Sequence, residues 1–175
     1  MTGREIDPVG DVVIRPAVAG EQLLIRTLVR SARLTPIHLH WPNFLIAERM
    51  EAMGPRLVGM GQLRPHRSGY LELASMLVLP EARGQGVGGQ LVNALIRKAD
   101  RPLYLICEGA KVPFYARFGF VEINEVRTLP GSLRWIRRLA GWVEPLMGLF
   151  SKHPRHLAVM AYLNGAQRSG NCSGR

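Results

Sequence analysis

The chain has 175 residues, 47% hydrophobic and 21% charged, with a formal net charge of +10 from 23 Lys and Arg against 13 Asp and Glu. That length and mix is ordinary globular material, enough for one domain with one core. The arginines are scattered over Arg26, Arg30, Arg33, Arg64, Arg67, Arg97, Arg134, Arg137 and Arg138 with no basic run interleaved with aromatics, which argues for a solvated basic surface and against nucleic acid.

In chain order, Asp11 to Val18 reads as a β-branched strand stopped by Pro16. "AGEQLLIRTLVRSARL" follows, an amphipathic helix on Leu23, Leu24, Leu28 and Leu34. "NFLIAERM" and "RLVGMGQLRP", joined by a turn at Glu51 to Pro55, form a hairpin. "YLELASMLVLP" is the longest strand candidate, closed by Pro80. Val87 to Ala99 is a helix on Leu91, Leu95 and Ile96, with Arg97 and Lys98 suiting its C-terminus. Then come a buried strand "PLYLIC", a short helix "VPFYARF" ended by Gly119, and a strand "GFVEINE". A long segment precedes a last strand, "HLAVMAYL", and residues 164–175 form a polar tail expected to be disordered. Hairpins in the first half and crossovers in the second imply a mixed α/β sheet. The start lacks an apolar leader and no run reaches about 18 charge-free apolar residues, so neither a signal peptide nor a spanning helix is expected. Cys107 ends an apolar strand and Cys172 lies in the tail, so no disulfide framework is expected, and the cytoplasm is the default compartment.

"LPEARGQGVGGQL" between strand and helix carries the chemistry. Glycines there permit positive φ and let the backbone approach an anion, while the opening helix offers N–H groups without acceptors. Two cofactors suit such a cradle. Gly84, Gly86 and Gly89 spell the dinucleotide pattern G-x-G-x-x-G, with Glu108 after the next strand as the ribose acid. Against it, Pro80 and the rest of "LPEAR" separate the strand from the first glycine, and only one βαβ unit is present.

The whole phrase, Val78, Pro80, Arg83, Gly84, Gly86 and Gly88, resembles the acyl-CoA motif of the GNAT N-acetyltransferases, V-x-P-x-x-R-G-x-G-x-G/A. "PFYARFGF", with Phe114, Tyr115, Gly119 and Phe120, is similar to that family's second hallmark. The resemblance covers about Asp11 to Ile123. It implies a central, mostly antiparallel mixed sheet splayed between the fourth and fifth strands and flanked by helices. The expected organisation is a single domain over residues 1–163 with a helical insert at 124–154.

The resemblance also implies roles. Acetyl-CoA is the expected cosubstrate, bound by Met76, Leu77 and Val78 along the pantetheine and by Arg83, Gly84, Gln85, Gly86, Val87, Gly88 and Gly89 at the pyrophosphate. Arg83 either adds charge or orders the loop through carbonyl hydrogen bonds, and for Met76 plain core packing is the alternative to a place along the pantetheine. Tyr115 is the expected general acid toward the leaving thiolate, and Glu72, six residues before Val78, the expected base. An acid inside "YLELASMLVL" is costly to bury alone, so Glu72 either faces a wet cleft or pairs with an arginine. His38, His40 and His66 are alternatives to it. "HLH" would set two imidazoles on one strand face, too few for zinc, so no metal is expected. His38, His40 and Trp41 fall where the family's acceptor cleft is lined.

The insert "GSLRWIRRLAGWVEPLMGLF" has Leu133, Ile136, Leu139, Val143, Leu146 and Phe150 on one helical face. It reads as a helix packed on the sheet edge, with an acceptor lid or a weak membrane-surface contact through residues 131–150 as alternatives. A homodimer is compatible with this reading. The activity so implied is transfer of an acetyl group to a primary amine of a small molecule or protein. "ELASMLVLPEARGQG" is also similar to the acetyltransferase domain of acetylglutamate synthases, which makes an amino acid one candidate acceptor. The alternative is a CoA-binding module without transfer activity.

Overall fold

The computed structural model describes residues 12–123 and 157–163. The expected 124–154 insert and 131–150 helix, the 164–175 tail and Cys172 lie outside the described residues. Among them, the strands are β1 (Val12–Pro16), β2 (Phe44–Glu51), β3 (Gly54–Pro65), β4 (Leu71–Val78), β5 (Leu103–Glu108), β6 (Phe120–Glu122) and β7 (Leu157–Tyr162). The helices are α1 (Gln22–Ser31), α2 (Val87–Lys98) and α3 (Val112–Ala116). The sheet order is β1-β2-β3-β4-β5-β7-β6. β4 and β5 run parallel and the other pairs antiparallel, which is the GNAT arrangement expected. The sole parallel crossover among the described residues is β4-α2-β5, so the repeated βαβ units of a dinucleotide fold do not form. The chain divides into two compact units at this crossover, one holding 12–64 and Leu73–Lys98, the other Pro65–Glu72, 99–123 and 157–163.

In the first unit β3 is the backbone of the packing. Its 12 residues exceed the 8 of β4, which corrects the expectation that "YLELASMLVLP" holds the longest strand. The reason is pairing: β3 lies between two neighbours, and β2 alone matches it from Gly54 to Gln62. Successive residues of β3 face opposite sides. Met60 joins Ile25, Val29, Phe44 and Ile46 under α1. On the other side Gly59 and Gly61 leave a trough for α2. A Cβ at Gly59 would stand 3.1 Å from Leu91 Cδ1, and one at Gly61 2.9 Å from Leu95 Cδ1.

α1 forms where its periodicity places it but turns a different face inward. Ile25 and Val29 are fully buried, Leu28 and Leu34 pack at the margin, and Leu23 is 74% exposed. Ile25 and Val29 are one i,i+4 step apart, and burying that row against Phe44 and Met60 carries Leu23 and Leu24 outward at about 100° per residue. On α2, Val87, Leu91, Val92 and Leu95 are buried, with Ile96 half-buried.

The second unit is built on β7, which pairs with β5 from Leu103↔Tyr162 to Glu108↔Leu157 and with β6 from Phe120↔Tyr162. Tyr70 and Val159 form its centre, edged by Tyr104, Ile106 and Ile123. Gly119 ends α3 at φ 92°, and its N–H reaches Ala116 O at 3.0 Å. A side chain there would also press on the Tyr162 ring at 3.1 Å, so glycine is required twice over.

Candidate functional site

The glycine loop lies in the first unit and is ordered by its own hydrogen bonds. Leu79 N–H donates to Val58 O at 2.9 Å, tying the end of β4 to β3. Pro80–Ala82 then make a single 3-10 turn, closed by Ala82 N–H to Leu79 O at 2.9 Å. Gly84 and Gly86 stand at φ 76° and 80°. A Cβ on either would meet nothing within 4 Å, so these glycines serve backbone conformation and an open approach, not packing. Gln90 N–H closes the first turn of α2 on Gly86 O at 3.1 Å, so the N–H groups of Val87, Gly88 and Gly89 come before the first intrahelical donor. With the helix dipole they make the open face of the loop attractive to an anion.

Side chains hold this shape from three directions. Arg83 Nε donates to Val78 O at 3.2 Å, the loop-ordering role. Gln85 Nε2 donates to Glu81 O at 2.9 Å, and the Gln85 side-chain oxygen accepts from Arg49 on β2. Arg56 on β3 reaches the Glu81 carboxylate at 2.7 Å. Arg49 and Arg56 are cross-strand partners in the β2–β3 hairpin, so one hairpin end supplies both latches. Sequence reasoning missed both. The only available signal was the hairpin register, which places residues 49 and 56 opposite each other once the turn is centred at 52–53.

Along β4, Ser75 takes φ 50°, a left-handed position in the middle of a strand, where extended geometry must break. The Ser75 hydroxyl accepts from Nε2 of the fully buried Gln62 at 2.9 Å. Met76 packs over Gly61, so close that a Cβ there would come within 2.5 Å of its sulfur. The Met76 side chain is half-buried and packed against β3.

In the second unit Glu72 is buried, and one partner is His66, with Nε2 and Oε2 at 2.7 Å. The expectation allowed an arginine or a wet cleft; it did not foresee the imidazole as the acid's neighbour. Tyr115 is buried on α3, edge-on to Phe114 at 5.0 Å and to Phe120 at 6.0 Å. Burial first, and the neighbouring Cys107 thiol second, push the Tyr115 phenol up to about 12. Cys107 is itself buried, its thiol 4.0 Å from the Met160 sulfur and pushed up to about 11 by desolvation, then by Glu122. It is a core thiol, not a reactive one.

"HLH" does not form a strand. His38 sits at φ 51° and His40 N–H turns back to His38 O at 2.9 Å, so the two imidazoles share no strand face. Both are exposed, while Trp41 packs at the edge of the α1 core with its N–H on Gln22 Oε1 at 3.0 Å.

Residues 40–122 match the family model for an acetyltransferase (GNAT) domain. Over 68 residues, 37% of this chain, the sequence is 37% identical to a mycothiol acetyltransferase of Catenulispora acidiphila, of whose length the chain spans 22%. Two solved structures are similar in fold. One is N-acetylglutamate synthase from Neisseria gonorrhoeae complexed with coenzyme A and N-acetyl-glutamate, with TM-score 0.61 and 19% identity over 89% of this chain and 36% of that one. The other is Rv2747 from Mycobacterium tuberculosis in complex with CoA and NLQ, with TM-score 0.62 and 21% identity over 87% of this chain and 99% of that one.

Proposed function

We propose that this chain, whose residues 40–122 match the family model for an acetyltransferase (GNAT) domain, transfers an acetyl group from acetyl-CoA to a primary amine of a small molecule or protein. The observation that carries the reading is the loop: two left-handed glycines with open Cβ directions, ahead of the bare N–H groups of α2. A diphosphate fits there, held by the backbone of Arg83 to Gly89, while Met76, Leu77 and Val78 offer strand backbone to the pantetheine amides. That β4 breaks from extended geometry at Ser75 supports this, because a regular strand spends those groups on its neighbours.

The reaction moves two protons. The acceptor ammonium loses one and the amine nitrogen attacks the thioester carbonyl. The C–S bond breaks, and the amide nitrogen gives up a second proton as sulfur gains one. Glu72, with the groups bound to it, is the proton-accepting site, and Tyr115 is the donor to sulfur. With its phenol at about 12, Tyr115 is neutral at every working pH. An ordinary thiol lies near 8.5, so full transfer from such a phenol is uphill by roughly 5 kcal/mol. Tyr115 therefore acts mainly as a hydrogen-bond donor to the developing thiolate, with the sulfur's proton drawn through it from solvent or the amine.

The test is thiol release from acetyl-CoA across a panel of primary amines, including amino acids and peptides. Turnover that drops roughly 100-fold or more in Tyr115→Phe and Glu72→Gln supports the enzyme. Tight CoA binding with no turnover on any amine supports a binding module instead.

A further inference from the structure

The group next to Glu72 is better placed than Glu72 itself to meet a substrate. The β3–β4 turn fixes it. His66 N–H donates to Tyr70 O at 3.0 Å, Gly69 N–H donates to His66 O at 3.0 Å, and Gly69 supplies the left-handed corner at φ 81°. The turn folds residue 66 back beside residue 72, which lies six positions on. The imidazole then lies flat on the Tyr70 ring, 4.3 Å between centroids and 10° between planes. Tyr70 is itself fixed, 1% exposed and edge-on to Tyr104 at 5.3 Å. A ring stacked on one side and bonded through one nitrogen has little freedom to turn.

The two partners differ in access. The His66 side chain is 19% exposed and the Glu72 side chain 9%. A carboxylate only accepts hydrogen bonds, so the nitrogen facing it, Nε2, carries the proton. In the neutral ring that leaves a lone pair on Nδ1. A buried carboxylate behind an imidazole, with the far nitrogen as proton acceptor, is the arrangement that fixes a tautomer and stabilises the imidazolium once it forms.

We propose that His66 is the general base of the acetyl transfer, with Glu72 as the positioning acid that holds its tautomer. The assignment rests on the acetyl-transfer reading above and refines which atom takes the proton. As the acceptor amine attacks, its N–H bond breaks and the proton goes to Nδ1. The imidazolium keeps its Nε2–H on the Glu72 carboxylate and then returns the Nδ1 proton to water. Both residues belong to one turn and one strand, so the pair is set by the hairpin alone.

The discriminating variant is His66→Gln. Its amide nitrogen can stand where Nε2 stands and still donate to Glu72, but it provides no proton acceptor in place of Nδ1. Thiol release from acetyl-CoA is measured with whichever amine of the panel the wild type turns over fastest. The expected result is a fall in kcat of about 100-fold or more in His66→Gln with CoA affinity unchanged. His66→Ala regains part of its kcat when imidazole is added, which a merely structural role does not allow. The double variant His66→Gln with Glu72→Gln is no worse than the weaker single one, because the two act as a unit. A His66→Gln enzyme within about threefold of wild-type kcat overturns the assignment and returns the base role to Glu72. So does a His66→Ala enzyme that imidazole leaves unchanged. A wild type inactive on every amine overturns the acetyl-transfer reading and this one with it, whereas an active wild type with an unaffected His66→Gln overturns this one alone.

Discussion

Gly86→Ala tests the phosphate cradle most directly, because its two consequences separate. In the free protein the added methyl meets nothing within 4 Å, so there is no clash to relieve. What remains is the conformation: φ 80° costs an L-residue about 1–2 kcal/mol relative to glycine. In a chain of this size that lowers Tm by roughly 2–8 °C. With CoA the methyl occupies the space through which an anion reaches the backbone. Losing a charge-assisted N–H contact of about 1.5–3 kcal/mol weakens Kd roughly ten- to hundredfold. The assay is calorimetric titration with CoA beside a thermal melt. Gly69→Ala is the control, since Gly69 is also left-handed, at φ 81°, and equally open, but sits in the β3–β4 turn. It carries the same strain and leaves CoA affinity alone. A Gly86→Ala protein that melts lower yet binds CoA like wild type, or a Gly69→Ala protein that loses the same affinity, would refute the loop as the phosphate site.

Three further outcomes follow from the packing and the titration. Gly61→Ala drives a Cβ to 2.5 Å from the Met76 sulfur and 2.9 Å from Leu95 Cδ1. It should destabilise by about 1–3 kcal/mol in urea unfolding, and Met76→Ala in the same chain should recover part of that; strict additivity of the two would contradict the contact. Arg49→Ala cuts the latch from β2 to Gln85. CoA Kd should rise about three- to tenfold with little change in Tm, because what is lost is the ordering of the loop before binding; an unchanged Kd counts against that role. For Tyr115, the folded phenol titrates near 12 against 10 for the unfolded chain. Below pH 10 neither form is ionised and the shift contributes nothing. Between 10 and 12 the unfolded phenol ionises first, so stability is lost as pH rises, by about 2 kcal/mol at pH 12. The stability difference between wild type and Tyr115→Phe, followed from pH 9 to 11, should move against wild type; a constant difference disproves the burial argument.

Much of the fold was legible because its signals are local. The hairpin, the helix after the glycine loop and the order of elements along the chain follow from alternation, turn residues and Pro80; the place of β7 between β5 and β6 does not. Where the reading of faces failed, the cause was rotation. "EQLLIRTLVR" offers leucines and β-branched residues on neighbouring stripes, and only the shape of the sheet beneath chooses Ile25 and Val29 over Leu23 and Leu24. Strand length failed similarly. Gly59 and Gly61, inside β3, are the trough into which Leu91, Leu95 and Met76 fit, a contact made only once the helix is in place.

The amino-acid sequence by itself determined the local conformation of the loop. Positive φ is a property of glycine, helix opening is a property of the following residues, and both act within a few bonds. That physics suits either phosphate ligand; it is the resemblance of Val78, Pro80, Arg83, Gly84, Gly86 and Gly88 to the GNAT motif that implies an acyl-CoA cradle. Tertiary structure decided who stands beside whom. His66 meets Glu72, Arg49 meets Gln85, and Gln62 meets Ser75 only because particular strands pair in particular registers. A slip of one residue would turn the strand members of these pairs, Arg49, Gln62, Glu72 and Ser75, to the opposite face, and nothing in the side chains themselves records which register wins.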